Sequence, residues 1–141
     1  MKLKLEKARE KDLGYLLRLR KSTMLKHLKD MGIELTDEKH RASILRDFEH
    51  AHLLRIDDRT IGLLKYVETD KFIDIKQLQI DPSEQGKGFG KLVLEYFIRS
   101  VEKDHKFLKL KVLKKNPAKR LYERMGFQTY DEDVYEYFMR R

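Results

Sequence analysis

Leu3 and Leu5 alternate with charged residues up to Ala8, and this period of two predicts a short first strand. The period then lengthens. From Asp12, whose carboxylate suits a helix N-terminus, Leu13, Leu17, Met24, Leu28 and Met31 recur at helical spacing as far as the natural stop at Gly32. A second helix is expected from Asp37 to Phe48, with Ile44, Leu45 and Phe48 inward. Ala51 to Ile56 and Ile61 to Val67 read as a hairpin about the turn Asp57-Asp58-Arg59-Thr60. A fourth strand runs from Phe72 to Ile80 and changes phase on the way. Ile73 and Ile75 fall on one parity and Leu78 and Ile80 on the other, so a bulge near Lys76 or Gln77 is needed to keep them on one core face.

Beyond the glycines at 86, 88 and 90, the positions Phe89, Leu92, Val93, Tyr96, Phe97 and Val101 form a helical stripe. Phe107 to Leu113 is the next strand, with Leu108, Leu110 and Val112 facing one way. Asn116 caps a last short helix and Pro117 takes its first position, with Ala118, Leu121, Tyr122 and Met125 inward and Gly126 as the stop. Two strands, near Gln128 to Asp131 and Val134 to Met139, complete the chain. The order is strand, two helices, three strands, helix, strand, helix, two strands. It implies an α/β sandwich on a mixed sheet.

At 141 residues the chain is expected to form a single domain, 1–141. Charged residues make up 40% of it, with both signs interspersed, and the net charge of +8 is unevenly placed. Between Lys103 and Arg120 eight basic residues stand against Asp104 alone. That stretch fits either a polyanionic ligand or a solvated surface. Regular interleaving of basic and aromatic residues is absent, which argues against nucleic acid. There is no cysteine, so disulfides, thiolate catalysis and Cys-based zinc sites are excluded. His50 and His52 share a strand face but lack a third ligand nearby, so no metal is expected. No segment has the apolar length of a signal peptide or a membrane span, and a cytoplasmic location is the expectation.

The chemistry centres on residues 78–92, where a strand ends, a proline turn follows, and three alternating glycines open a helix. Unpaired helix N-terminal N–H groups beside glycines cradle phosphates. A Walker loop requires Ser or Thr after Gly-Lys, and here Gly88 follows Lys87. A dinucleotide fingerprint requires a later third glycine and an acid about twenty residues on, where Leu108, Lys109 and Leu110 stand. A glycine turn without a ligand is entropically costly.

Gln85-Gly-Lys-Gly-Phe-Gly90, placed after Leu78-x-Ile80-x-Pro82, resembles the acyl-CoA pyrophosphate motif of the GNAT superfamily of N-acetyltransferases. Asn116-Pro-Ala118-Lys-Arg-Leu121-Tyr122-Glu-Arg-Met-Gly126-Phe127 resembles the family's second signature, in a shortened form with Tyr122 six residues after Asn116. The element order matches that fold from end to end. The resemblance implies a mixed sheet of about seven strands flanked by about four helices, its central strands bulged and splayed. It also implies acetyl-CoA as cosubstrate without a metal, a primary amine as acceptor, and direct attack of the amine on the thioester. Family members are often dimers, so a homodimer is compatible with it.

By the same resemblance the backbone of Leu78, Gln79 and Ile80 holds the pantetheine arm, and Gln85, Gly86, Lys87, Gly88, Phe89, Gly90 and Lys91 hold the pyrophosphate, with Asn116 as a further cofactor contact. Tyr122 corresponds to the tyrosine that protonates the departing thiolate; without the resemblance it reads as core filling beside Leu121 and Met125. Many family members place a Glu on the fourth strand as general base. Here Asp74 is the nearest candidate, with Glu68 or ordered water as alternatives. Residues shaping the acceptor site are expected among Met24, Met31, Glu34, Asp37, Glu38, Tyr130, Tyr135 and Tyr137. Two other roles compete with amine acetylation in general: a catalytically weak acyl-CoA-binding regulator, and an acetyltransferase for a ribosome- or tRNA-associated amine.

Overall fold

A computed structural model describes residues 2–141, the side chain of His27 excepted. Its strands are β1 (Leu3–Lys7), β2 (Ala51–Ile56), β3 (Arg59–Glu68), β4 (Phe72–Ile80), β5 (Phe107–Leu113), β6 (Gln128–Glu132) and β7 (Glu136–Arg140). Its helices are α1 (Leu13–Asp30), α2 (Asp37–Leu45), α3 (Phe89–Asp104) and α4 (Ala118–Arg124). The strands form one sheet in the order β1-β2-β3-β4-β5-β7-β6, antiparallel except for β4 beside β5. The parallel pair is joined through α3, the crossover that such a pair requires.

Each face of the sheet is covered. Phe97, Val93, Leu94 and Val101 of α3 pack with Leu54, Leu64, Ile73 and Leu108 on one side. Leu16 and Leu19 of α1 and Ile44 of α2 pack with Ala51, Leu53 and Leu63 on the other. The expected stripe on α3 is right at its centre and wrong at one flank: Leu94 and Ile98 are buried, while Tyr96 is 48% exposed. On α1, Leu16, Leu19 and the expected Leu28 are buried, while Leu13, Leu17 and Met24 are half-buried, because apolar residues surround much of this helix. The second helix is shorter than expected. Arg46 leaves helical geometry, Asp47 takes a positive φ of 56°, and Leu45 is left exposed.

The end of α2 is fixed from the sheet. Lys65 on β3 is buried, and its Nζ donates to the carbonyls of Ser43 at 3.0 Å, Ile44 at 2.7 Å and Arg46 at 2.7 Å. These are orphan carbonyls of a helix C-terminus, which favour a positive charge. Burial pushes the ammonium down to about 8. Lys65→Met is expected to lower the unfolding free energy by about 2–3 kcal/mol, read from the urea midpoint, because the three carbonyls lose their donor.

β4 carries the bulge that the phase change requires. Lys65 pairs with Gln77 and Tyr66 with Ile75, so Lys76 is the extra residue. Pairing of β4 with β5 stops at the same point, running only from Phe72↔Phe107 to Ile75↔Leu110. β5 continues along β7 as far as Leu113↔Glu136. The two central strands therefore part, and the edge of β4 from Lys76 to Ile80 that faces β5 has no strand partner.

Candidate active site

A cavity of about 280 Å³ lies at the mouth of this split, against Leu78, Gln79, Ile80, Gln85, Gly90, Asn116 and Tyr122. It brings together these seven of the expected cofactor-binding and catalytic residues, from three separate segments. A second cavity, about 360 Å³, continues beneath α1 and the end of α2. The two share Met24, Leu78, Gln79, Asn116 and Tyr122, so these five residues form a common wall.

The glycine loop forms an open cleft above, lined by Gly86, Gly88, Phe89, Gly90 and Lys91 with Ile80 and Gln85. Gly86 and Gly88 have φ of 78° and 83°, values that favour glycine, and a Cβ on either would point into open space. The backbone N–H groups of residues 86–91 have no acceptor among the described residues. They converge on the N-terminus of the sixteen-residue α3. This is a ready-made anion site. Gly90 is closed in by Leu121, which a Cβ would meet at 3.4 Å, so α3 and α4 approach closely here.

The loop is braced from behind. Gln85 Nε2 donates to the Ile80 carbonyl at 3.0 Å, and Asp81 Oδ1 accepts from the Ser83 N–H and hydroxyl. Asp81 also accepts from the Tyr15 hydroxyl at 3.2 Å, which ties α1 to the loop. Glu84 takes Arg59 through both its oxygens and Lys87 at 3.2 Å. Lys87 is thus turned to Glu84 rather than into the cleft, and the Phe89 ring is buried in the core. Of the two, only the backbone serves the loop.

Tyr122 is buried, with its ring 5.9 Å from that of Phe127. Burial pushes its phenol up to about 12, so it is a proton donor rather than a base at neutral pH. Asn116 Oδ1 accepts from the Ala118 N–H at 2.9 Å, so the side chain works as the expected helix cap while it also lines both cavities. The structure does not bring Asp74 to Tyr122. Its carboxylate lies 2.9 Å from Lys76 and 4.0 Å from Lys109, at a neighbouring cavity of about 280 Å³.

Two groups at the site are not among those the sequence singles out. Glu136 is the one acid lining the Tyr122 cavity among the described residues, and burial pushes its carboxyl up. Gly62 lies against β4, where a Cβ would collide with the Gln79 carbonyl oxygen. Glu136 becomes visible only once β7 is seen beside β5; the lone glycine inside a strand is a signal for close backbone approach. Of the residues expected to shape the acceptor site, Met24 and Tyr135 line the second cavity; Asp37 instead pairs with Lys21, and Tyr137 stands in a cleft with Lys114 and Lys119. Half of the basic stretch is matched: Lys106 pairs with Glu68, Lys109 lies 4.0 Å from Asp74, Lys114 pairs with Glu132 and Lys119 with Glu123. His52 stacks on Tyr66, and no group of three potential metal ligands occurs among the described residues. Nor is any described helix long and apolar enough to cross a membrane.

The sheet thus splits at a bulged strand beneath a glycine-rich helix N-terminus. The acetyltransferase (GNAT) domain model matches residues 24–140, and the chain belongs to the GNAT acetyltransferase family. Its fold is similar to that of the PaiA N-acetyltransferase of Thermoplasma acidophilum, solved in complex with coenzyme A. The TM-score is 0.74 at 18% identity, over 100% of this chain and 99% of that one. It is similar also to an acetyltransferase from Thermus thermophilus, with TM-score 0.75 at 24% identity over 100% and 97% of the chains. A third is Arabidopsis thaliana Naa50 in complex with the bisubstrate analogue CoA-Ac-MVNAL, with TM-score 0.67 at 18% identity over 100% and 99%. Among curated proteins none matches the sequence.

Proposed function

We propose that the protein transfers an acetyl group from acetyl-CoA to a primary amine by direct attack. The observation that carries this reading is the position of Tyr122 in the wall common to the two cavities. The fit to acetyl-CoA is supported by the free N–H groups of residues 86–91 for a pyrophosphate, and by the unpaired β4 edge for the amides of a pantetheine arm. Leu78, Gln79 and Ile80 line that edge, while Lys91 and Arg124 add positive charge.

Bound acetyl-CoA supplies an activated acyl carbon: the amine lone pair forms the C–N bond as the C–S bond breaks, and sulfur gains one proton while nitrogen loses one. Tyr122 holds the proton that sulfur needs, kept in place by its raised pKa. An alkylamine near its ordinary pKa of about 10 must first become neutral. Glu136, in the same cavity and less acidic than an exposed carboxyl, is the group best suited to accept that proton. Asp74, held by two lysines, is poorly suited.

Incubation with acetyl-CoA and a panel of primary amines tests the reading. Release of CoA thiol that depends on the amine, in step with N-acetylated product, is expected. Tight acetyl-CoA binding with no transfer to any amine would overturn it in favour of an acyl-CoA-binding regulator.

A further inference from the structure

The second cavity carries more than an amine requires. Arg20 of α1 projects into it and is only 6% exposed, and Arg46, just past α2, lines it too. Neither has a carboxylate within ion-pair distance among the described residues, although Lys21, Lys76 and Arg59 all do. A buried guanidinium without an acid is unusual, because buried charges are normally paired. Arg20 is aimed by His40, whose Nδ1 accepts from Arg20 Nε at 3.1 Å and leaves the rest of the guanidinium for another partner. Burial, and then the positive charge of Arg46, both oppose the charge on Arg20. The two arginines thus lie within each other's field, an arrangement that an anion between them would relieve.

The same cavity also holds the opposite requirement. Gln79 is buried in the wall shared with Tyr122, and its Oε1 has no donor; Gln77 Oε1, nearer Arg46, has none either. Unsatisfied buried acceptors cost free energy, and an amine N–H supplies what they lack. A donor end near Tyr122 and an anion end beneath α1 and α2 describe one ligand.

We propose that the acceptor is a small primary amine that also bears a carboxylate, of the amino-acid class, with its carboxylate on Arg20 and Arg46 and its amine at Gln79. This rests on the acetyltransferase reading above. The product is the N-acetyl amino acid together with CoA thiol; the new C–N bond replaces the C–S bond, and the carboxylate is unchanged. A polyamine is disfavoured by the four basic residues lining the cavity, Arg20, Arg46, Lys76 and Lys111, against Glu136 alone. At about 360 Å³ the cavity also falls at the small end of ligand pockets, which favours a single small molecule over a length of peptide.

The test measures kcat/KM for the protein amino acids and 4-aminobutyrate, each against its amide, which keeps the amine and removes the charge, with n-butylamine and spermidine alongside. For at least one acid the value is expected to exceed that of its amide by about tenfold or more, the scale of a charge-assisted contact. Arg46→Glu, a change at an exposed position, is expected to shrink that ratio about tenfold, chiefly through KM, with retained acetyl-CoA binding showing that the variant is folded. Amides or spermidine used as well as every acid, or an unchanged ratio in Arg46→Glu, would overturn the proposal while leaving acetyl transfer intact. If acetyl-CoA binds and no amine in the panel is acetylated, the acetyltransferase reading fails, and this proposal with it.

Discussion

Tyr122→Phe is expected to lower kcat by about a hundredfold while the KM for acetyl-CoA changes little. The ring keeps its place against Phe127, so the fold survives and the loss isolates the hydroxyl. The pH dependence follows from the same burial. With its phenol near 12, Tyr122 stays protonated across the neutral and mildly alkaline range and contributes no alkaline limb to the rate profile there. Its folded pKa stands above the unfolded value of about 10, so its contribution to stability is complete below that pH and is lost as pH rises toward about 12. A Tyr122→Phe protein with wild-type kcat would remove the proton-donor assignment, provided that single-turnover kinetics show chemistry to be limiting.

Gly86→Glu should abolish useful cofactor affinity. Two effects combine: a side chain at φ 78° strains the loop by about 1–2 kcal/mol, and its carboxylate enters the cleft meant for phosphate charge. Coenzyme A affinity is expected to fall more than about a hundredfold by calorimetry, while the melting temperature falls by only about 3–10 °C, so that the variant stays folded at the assay temperature. Unaltered binding in this variant would show that the cleft at α3 is not where the phosphates sit.

The glycine loop and the Asn116–Phe127 segment are legible in the sequence because their residue types are dictated by local backbone needs. Positive φ at Gly86 and Gly88, a cap at Asn116 and a stop at Gly126 leave marks within a few residues. The bulge at Lys76 is legible for a similar reason, since a change of parity inside one strand requires an extra residue if both apolar pairs are to face the core. Most of the second cavity is not legible. Arg20, Arg46, Gln79 and Glu136 meet only through packing of α1, α2, β4 and β7, elements up to 116 residues apart (136 − 20 = 116). Asp74 stands out in the sequence because it lies near the expected position on β4; of the two lysines that hold it, Lys76 stands two residues along the same strand, while Lys109 is brought beside it only by the pairing of β4 with β5. The inward face is read better on α3, whose apolar residues are concentrated on one side, than on α1, where they are spread around the axis.

Crystals grown with acetyl-CoA test the central claim most directly. The account predicts the pyrophosphate on the N–H groups of residues 86–91, the pantetheine arm along the unpaired edge of β4, and the thioester sulfur within about 3.5 Å of the Tyr122 hydroxyl. Acetyl-CoA bound outside the β4–β5 split, or with its thioester turned away from Tyr122, would contradict it.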